Sequence, residues 1–177
     1  MTVVIESVTL EDFKSYADRT TIELGDGVTA IVGENGSGKS TVQEAIGFAL
    51  FDTHPFDNQD RLVRDGESSG HVEVTFRVVE TGEVYTVRRW AGRSKFDVLD
   101  ANGDALGLDT KSAIKEWLAE KLGVEDADDL SEVWERSIGV PQTSFLADFT
   151  QSEKKRVDTF DPLFDIERYR EAYKSLS

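Results

Sequence analysis

A chain of 177 residues is long enough for one domain with its own core, or for a core and an appendage. Having no cysteine, it has no disulfide, thiolate zinc site or cysteine nucleophile, and no apolar run approaches the roughly 20 residues of a membrane span. The net charge of −15 leaves two readings: no nucleic acid is bound, since phosphate contacts need concentrated Lys and Arg, or the surface is adapted to a high-salt cytoplasm that screens its repulsion.

The N-terminus, Met1 to Glu6, lacks the basic start and long apolar stretch of a secretory signal, so a cytoplasmic location is expected. Residues 2–12 carry β-branched residues with partial alternation and predict a first strand. Phe13-Lys14-Ser15-Tyr16 makes a corner, Thr20 to Leu24 a second strand, and Gly25-Asp26-Gly27 a turn. The apolar run Val28 to Val32 predicts a strand leading into Gly33-Glu34-Asn35-Gly36-Ser37-Gly38-Lys39-Ser40-Thr41.

That last segment has the spacing of a phosphate-binding loop, and Val42, Ala45, Ile46, Ala49 and Leu50 behind it fall on one helical face. Glycines let consecutive amides turn inward on a phosphate chain, where the positive end of the following helix also acts. Gly36, Ser37, Gly38, Lys39, Ser40 and Thr41 are the expected nucleotide-binding residues. Lys39 would reach the terminal phosphates as a compact charge, and the Ser40 hydroxyl would ligate a bridging Mg²⁺.

Residues 52–70 read as a loop containing Arg61 and Arg64. Val72, Val74, Phe76 and Val78 alternate with polar residues, and Val84 to Trp90 and Lys95 to Leu99 complete an expected antiparallel meander closed at Asn102-Gly103. A helix follows, with Asp109 as its expected cap and Gly123 at its end, burying Ile114, Trp117, Leu118 and Leu122. A second helix is expected from the acidic run Glu125 to Asp129, burying Leu130, Val133 and Trp134. After Ile138-Gly139-Val140-Pro141-Gln142 the signal turns helical again, over Ser152 to Val157 and Pro162 to Leu176. The last stretch has an apolar stripe, which suits either docking on the domain or the first turns of a coiled coil. His54 and His71 have no ligand-spaced partner, so no metal beyond Mg²⁺ is expected.

With these pieces in order, the chain resembles the N-terminal half of an ATPase head of the Rad50, SbcC and structural-maintenance-of-chromosomes (SMC) group of ABC-type P-loop ATPases. The resemblance rests on Val8 to Tyr16, on Ile31 to Thr41 with Glu44-Ala45-Ile46, and on Val140-Pro141-Gln142 followed by Phe145-Leu146. It implies an α/β fold: a head lobe over residues 1–158 with a mixed sheet around the P-loop helix and an antiparallel edge sheet, then a helix over 159–177 opening a coiled coil. Gln142 resembles the family's glutamine that approaches the Mg²⁺ and the attacking water, which would make Lys39 and Gln142 the catalytic pair. Asn35 resembles an asparagine near the γ-phosphate, and Lys14 stands where the family has a basic residue near the nucleotide.

Lys14, in a Phe-Lys-Ser-Tyr segment, leans toward SMC chains, because Rad50-like chains tend to carry arginine there. Tyr85 to Arg89, Pro141-Gln142 and Phe164 to Tyr173 resemble the Rad50 pattern, which is favoured. The resemblance then implies ATP and Mg²⁺ as cofactors and a nucleoid-associated role in double-strand break repair. Implied partners are a C-terminal half of the same head, a second head, an Mre11-type nuclease and DNA, with no membrane. An SMC-like chromosome-organising ATPase is the alternative. The nucleotide-binding part of an ABC transporter is disfavoured by the long gap from Lys39 to Gln142.

No apolar strand ends in Asp-Glu, and no Leu-Ser-Gly-Gly signature occurs; Phe96-Asp97-Val98-Leu99-Asp100 comes nearest and runs into a turn. Without a carboxylate to polarise water, this chain is expected to bind ATP and turn it over poorly until a C-terminal half completes it. It therefore reads as one half of a head.

Overall fold

The computed structural model describes residues 2–56, 58–139 and 173. Five strands form one sheet in the order β2-β1-β3-β4-β5: β1 (Val3–Glu11), β2 (Thr20–Glu23), β3 (Gly70–Val78), β4 (Val84–Ala91) and β5 (Phe96–Leu99). Every pairing is antiparallel, so the expected meander is present as β3-β4-β5. In β3 the period-two pattern puts Val72, Val74, Phe76 and Val78 on the core face.

In β1 the apolar residues change phase halfway along, and a bulge between Ile5 and Ser7 resolves the conflict. Val3 and Ile5 oppose Val78 and Phe76, then Val8 and Leu10 oppose Val74 and Val72, all on the same face. The extra residue, Glu6, is not orphaned, because its carbonyl accepts from Leu24 N–H at 2.8 Å.

Helix α1 (Lys39–Phe51) lies on the core face, burying Val42, Ala45, Phe48, Ala49 and Leu50. Each large side chain so removed from water contributes on the order of 2 kcal/mol. Helix α2 (Lys111–Leu122) packs beside it, with Trp117 edge-on to Tyr85 at 4.9 Å. Its cap is Thr110, whose hydroxyl accepts from Ala113 N–H at 3.1 Å, one residue later than the expected Asp109; Gly123 ends it as expected. The next helix is shorter than its pattern suggests. Ala127–Asp129 is a 3-10 turn, α3 covers only Leu130–Val133, and Trp134–Ile138 widens into a π turn that buries Trp134.

Trp134 sits against Gly47 of α1, where a Cβ would lie 2.5 Å from its indole nitrogen. Alanine in a helix interior ordinarily gains about 1 kcal/mol over glycine. Here the clash reverses the sign, and Gly47→Ala is expected to lose about 1–3 kcal/mol in urea unfolding.

The run Val28 to Val32 is not a strand, contrary to expectation. It has no regular structure and is exposed, Val28 by 99% and Val32 by 88%, because β2 pairs with β1 and no other described strand lies alongside to take its hydrogen bonds. Among the described residues no helix is long and apolar enough to cross a membrane.

On the outer face of the sheet His71 stacks on Trp90, ring centroids 4.4 Å apart, between Glu11, Glu73 and Arg19. Burial lowers its pKa; Glu73 and Glu11 oppose this, while Arg19 and Arg88 reinforce it. The unfolded chain therefore binds the proton first, and stability falls as pH drops through about 6.5. His71→Gln is expected to flatten that part of the melting profile between about pH 7 and 5.5.

Candidate phosphate-binding site

The expected loop is placed at the start of α1. Residues 33–37 are exposed, and α1 begins at Lys39 without a side-chain cap, so its first amides remain available to an anion. Gly38 has φ of +92°, and a Cβ there would meet Ser15 Oγ at 2.5 Å and the Tyr16 ring at 2.9 Å. Glycine is required on both counts. Lys39 Nζ donates to Gly33 O at 2.9 Å and Glu34 O at 2.7 Å, closing the loop on itself. Ser40 and Asn35 are exposed; Thr41 is buried, its Oγ1 3.5 Å from Ser15 Oγ.

The corner after β1 is keyed to this loop. Asp12 and Lys14 both adopt left-handed backbone, with φ of 49° and 50°, a strained state held by hydrogen bonds from Lys14 N–H to Leu62 O and from Arg64 N–H to Asp12 O. Tyr16 OH donates to Gly38 O at 3.4 Å. Lys14, expected near the nucleotide, pairs with Glu44 on α1, and its Nζ lies 5.2 Å from the Phe56 ring centroid. Arg61 lies over the same ring at 4.9 Å, and Arg64 points to the carbonyls of Lys14 and Ser15. Arg64 thus braces the corner, while Arg61 packs on the ring that the Lys14 ammonium also faces.

The far end of the helix is pinned by a group whose role the sequence does not announce. Arg89 stands on the core face of β4 and is only 4% exposed. Its guanidinium donates to Phe48 O at 2.5 Å and to the Asp52 carboxylate, which ends α1 and also receives Lys111 at 2.9 Å. Burial alone would raise the Asp52 pKa, but the charge of Arg89 and the hydrogen bonds from Lys111 and Arg89 outweigh it and hold the carboxyl below its usual range. One signal could have found it: Tyr85, Val87, Arg89 and Ala91 share one face by period two.

The cradle of loop amides, glycines and a lysine suits a phosphate chain, and the exposed Ser40 hydroxyl suits a hard cation beside it. Gln142, the other expected metal and water ligand, lies outside the described residues, as do the boundary at 158 and the helix over 159–177. Asp97, in the segment nearest to a catalytic Asp-Glu strand, is on β5 and pairs with Arg88 at 3.4 Å and Lys95 at 3.6 Å.

A family model described as an AAA domain matches residues 7–177. The chain is 30% identical over 179 residues to a DNA double-strand break repair Rad50 ATPase of Methanococcus maripaludis, covering 99% of this chain and 17% of that protein. It is 29% identical to the Methanocaldococcus jannaschii Rad50 ATPase over 178 residues, with the same coverage. Against the chromosome partition protein Smc of Rhodopirellula baltica it is 27% identical, covering 88% of this chain and 16% of that one. The chain thus spans about a sixth of the length of the curated relatives it matches. Its fold resembles a solved structure from the structural biochemistry of ATP-driven dimerization and DNA stimulated activation of SMC ATPases, with TM-score 0.64 and 24% identity, covering 90% of this chain and 98% of that one. With the loop at the head of α1 and the antiparallel sheet beneath it, the match over residues 7–177 places the chain in the AAA domain family, and within it the chain is similar in sequence to Rad50 and Smc proteins.

Proposed function

We propose that this chain is the ATP-binding N-terminal half of a Rad50-like ATPase head. The observation that carries this reading is the loop from Gly33 to Thr41, ringed by Lys39 and opening on an uncapped helix whose other end is locked to the sheet. Lys39 would neutralise the terminal phosphates, and Ser40 with Gln142 would hold Mg²⁺, which supplies charge neutralisation across the phosphates when bound. Gln142 would also orient the attacking water. Asn35 would approach the γ-phosphate side, and Lys14 would add positive potential.

Hydrolysis needs a carboxylate from elsewhere. The exposed apolar run Val28 to Val32, without a strand beside it among the described residues, supports a C-terminal half as the partner that covers it and brings that group. Two completed heads would then sandwich ATP, and release on hydrolysis would gate an Mre11-type nuclease on DNA. Among the described residues the outer sheet face carries balanced charge, with Arg19 on Glu73, Arg77 on Glu6 and Arg88 on Asp97. DNA contact is therefore assigned to the completed assembly. The Phe13-Lys14-Ser15-Tyr16 segment and the Smc relative support an SMC-like ATPase as the second reading. Purification of the assembled head with a candidate Mre11-type nuclease tests the choice. A stable complex with the nuclease is the expected result, and no association with or without ATP would overturn the Rad50-like reading in favour of the SMC-like one.

A further inference from the structure

We propose that Glu44 is a positioning residue for the phosphate site, holding the Lys14 ammonium in place before a nucleoside triphosphate arrives. The inference rests on the phosphate-loop reading above and adds to it a residue and a role. Ser40 and Glu44 lie four residues apart in α1 and are therefore neighbours on one helix face, a turn apart. The Glu44 carboxylate pairs with Lys14, so the ammonium sits on the side of α1 that carries the Ser40 hydroxyl. Both side chains are about a quarter exposed, at 26% and 25%, so the pair is partly shielded from water without being closed off from a ligand.

Beside the Phe13–Phe48 ring contact at 5.8 Å, three polar contacts among the described residues attach the corner to the loop and helix: Tyr16 OH on Gly38 O, Ser15 Oγ near Thr41 Oγ1, and Lys14 on Glu44. The first two are neutral. The third fixes a charge. A lysine stem has four rotatable bonds, and freezing it on ligand binding costs affinity; a carboxylate that freezes it beforehand removes that cost. The left-handed backbone at Lys14 and the Phe56 ring against its ammonium act in the same direction, restricting the side chain to one approach.

A purely structural pair would close the corner on α1 and do no more, and the test separates the two. Binding of a fluorescent ATP analogue with Mg²⁺ is measured by titration on the full chain, alongside melting curves. Glu44→Gln is expected to weaken binding about fivefold, Lys14→Met by a similar factor, and the double variant by no more than either alone. Glu44→Asp, which keeps the charge, should recover part of the loss. The swap Lys14→Glu with Glu44→Lys restores an ion pair and should restore the melting temperature without restoring affinity. Unchanged affinity in Glu44→Gln, or a swap that recovers affinity together with stability, would overturn the positioning role. If that happens while Lys39→Ala still abolishes binding, only the role of Glu44 falls. A wild-type chain that binds no Mg²⁺-ATP would overturn the phosphate-loop reading and this inference together.

Discussion

Lys39→Ala is expected to weaken Mg²⁺-ATP binding by at least about a hundredfold while leaving the fold intact. The ammonium closes the loop through the carbonyls of Gly33 and Glu34, at 2.9 and 2.7 Å, and stands at the first residue of α1 where phosphate would lie. Truncation removes the charge that phosphate meets and frees the loop. Two charge-assisted hydrogen bonds from the ammonium to bound phosphate would contribute about 1.5–3 kcal/mol each, so losing them exceeds the roughly 2.7 kcal/mol that a hundredfold change in affinity requires. Lys39 lies outside the hydrophobic core and its hydrogen bonds are exposed, so urea unfolding should shift by less than about 1 kcal/mol. Titration calorimetry gives the first number. Retained tight binding would contradict the assignment of the loop.

Asp52→Asn or Arg89→Met carries the largest expected cost in stability, about 3–5 kcal/mol. Arg89 is buried under Phe48 and Phe96, with Asp52 as its ionised partner. Removing the carboxylate leaves a guanidinium in the core with the Phe48 carbonyl alone; removing the guanidinium leaves the carboxylate with Lys111 and Lys115. Losses of that size approach the whole stability of a domain, so the variants should unfold at low urea or fail to accumulate. The pH dependence has a definite sign. The folded pKa of Asp52 is depressed, so its contribution is present above the ordinary carboxylate value near 3.8 and is lost as pH falls through the folded value. Asp52→Asn should flatten the acid limb below about pH 4.

Most of the sheet was legible, because a single buried face writes itself in period two, as in Val72, Val74, Phe76 and Val78. The position of the loop ahead of α1 was legible from its glycines and the helical pattern behind them; that it meets a phosphate chain is the proposal. What escaped was set by tertiary context. The run Val28 to Val32 has the composition of a buried strand, but a strand exists only where another offers hydrogen bonds. The broken alternation of β1 becomes intelligible once Glu6 is seen as a bulge. Arg89 follows another arginine and reads as one of an exposed pair, yet its phase along β4 points inward, toward a carboxylate 37 residues away in sequence. The pairing of Lys14 with Glu44 spans 30 residues and leaves no local pattern at all.

The central claim, that this chain supplies the nucleotide cradle and a second half supplies the catalytic carboxylate, is tested most directly by measuring Mg²⁺-ATP binding and turnover at low and high salt. The chain is assayed alone and with a candidate C-terminal half. Binding by the chain alone, with turnover appearing only when the second half is added, is the expected result. Sustained turnover by the chain alone would contradict the claim, because it would require a catalytic carboxylate within these 177 residues.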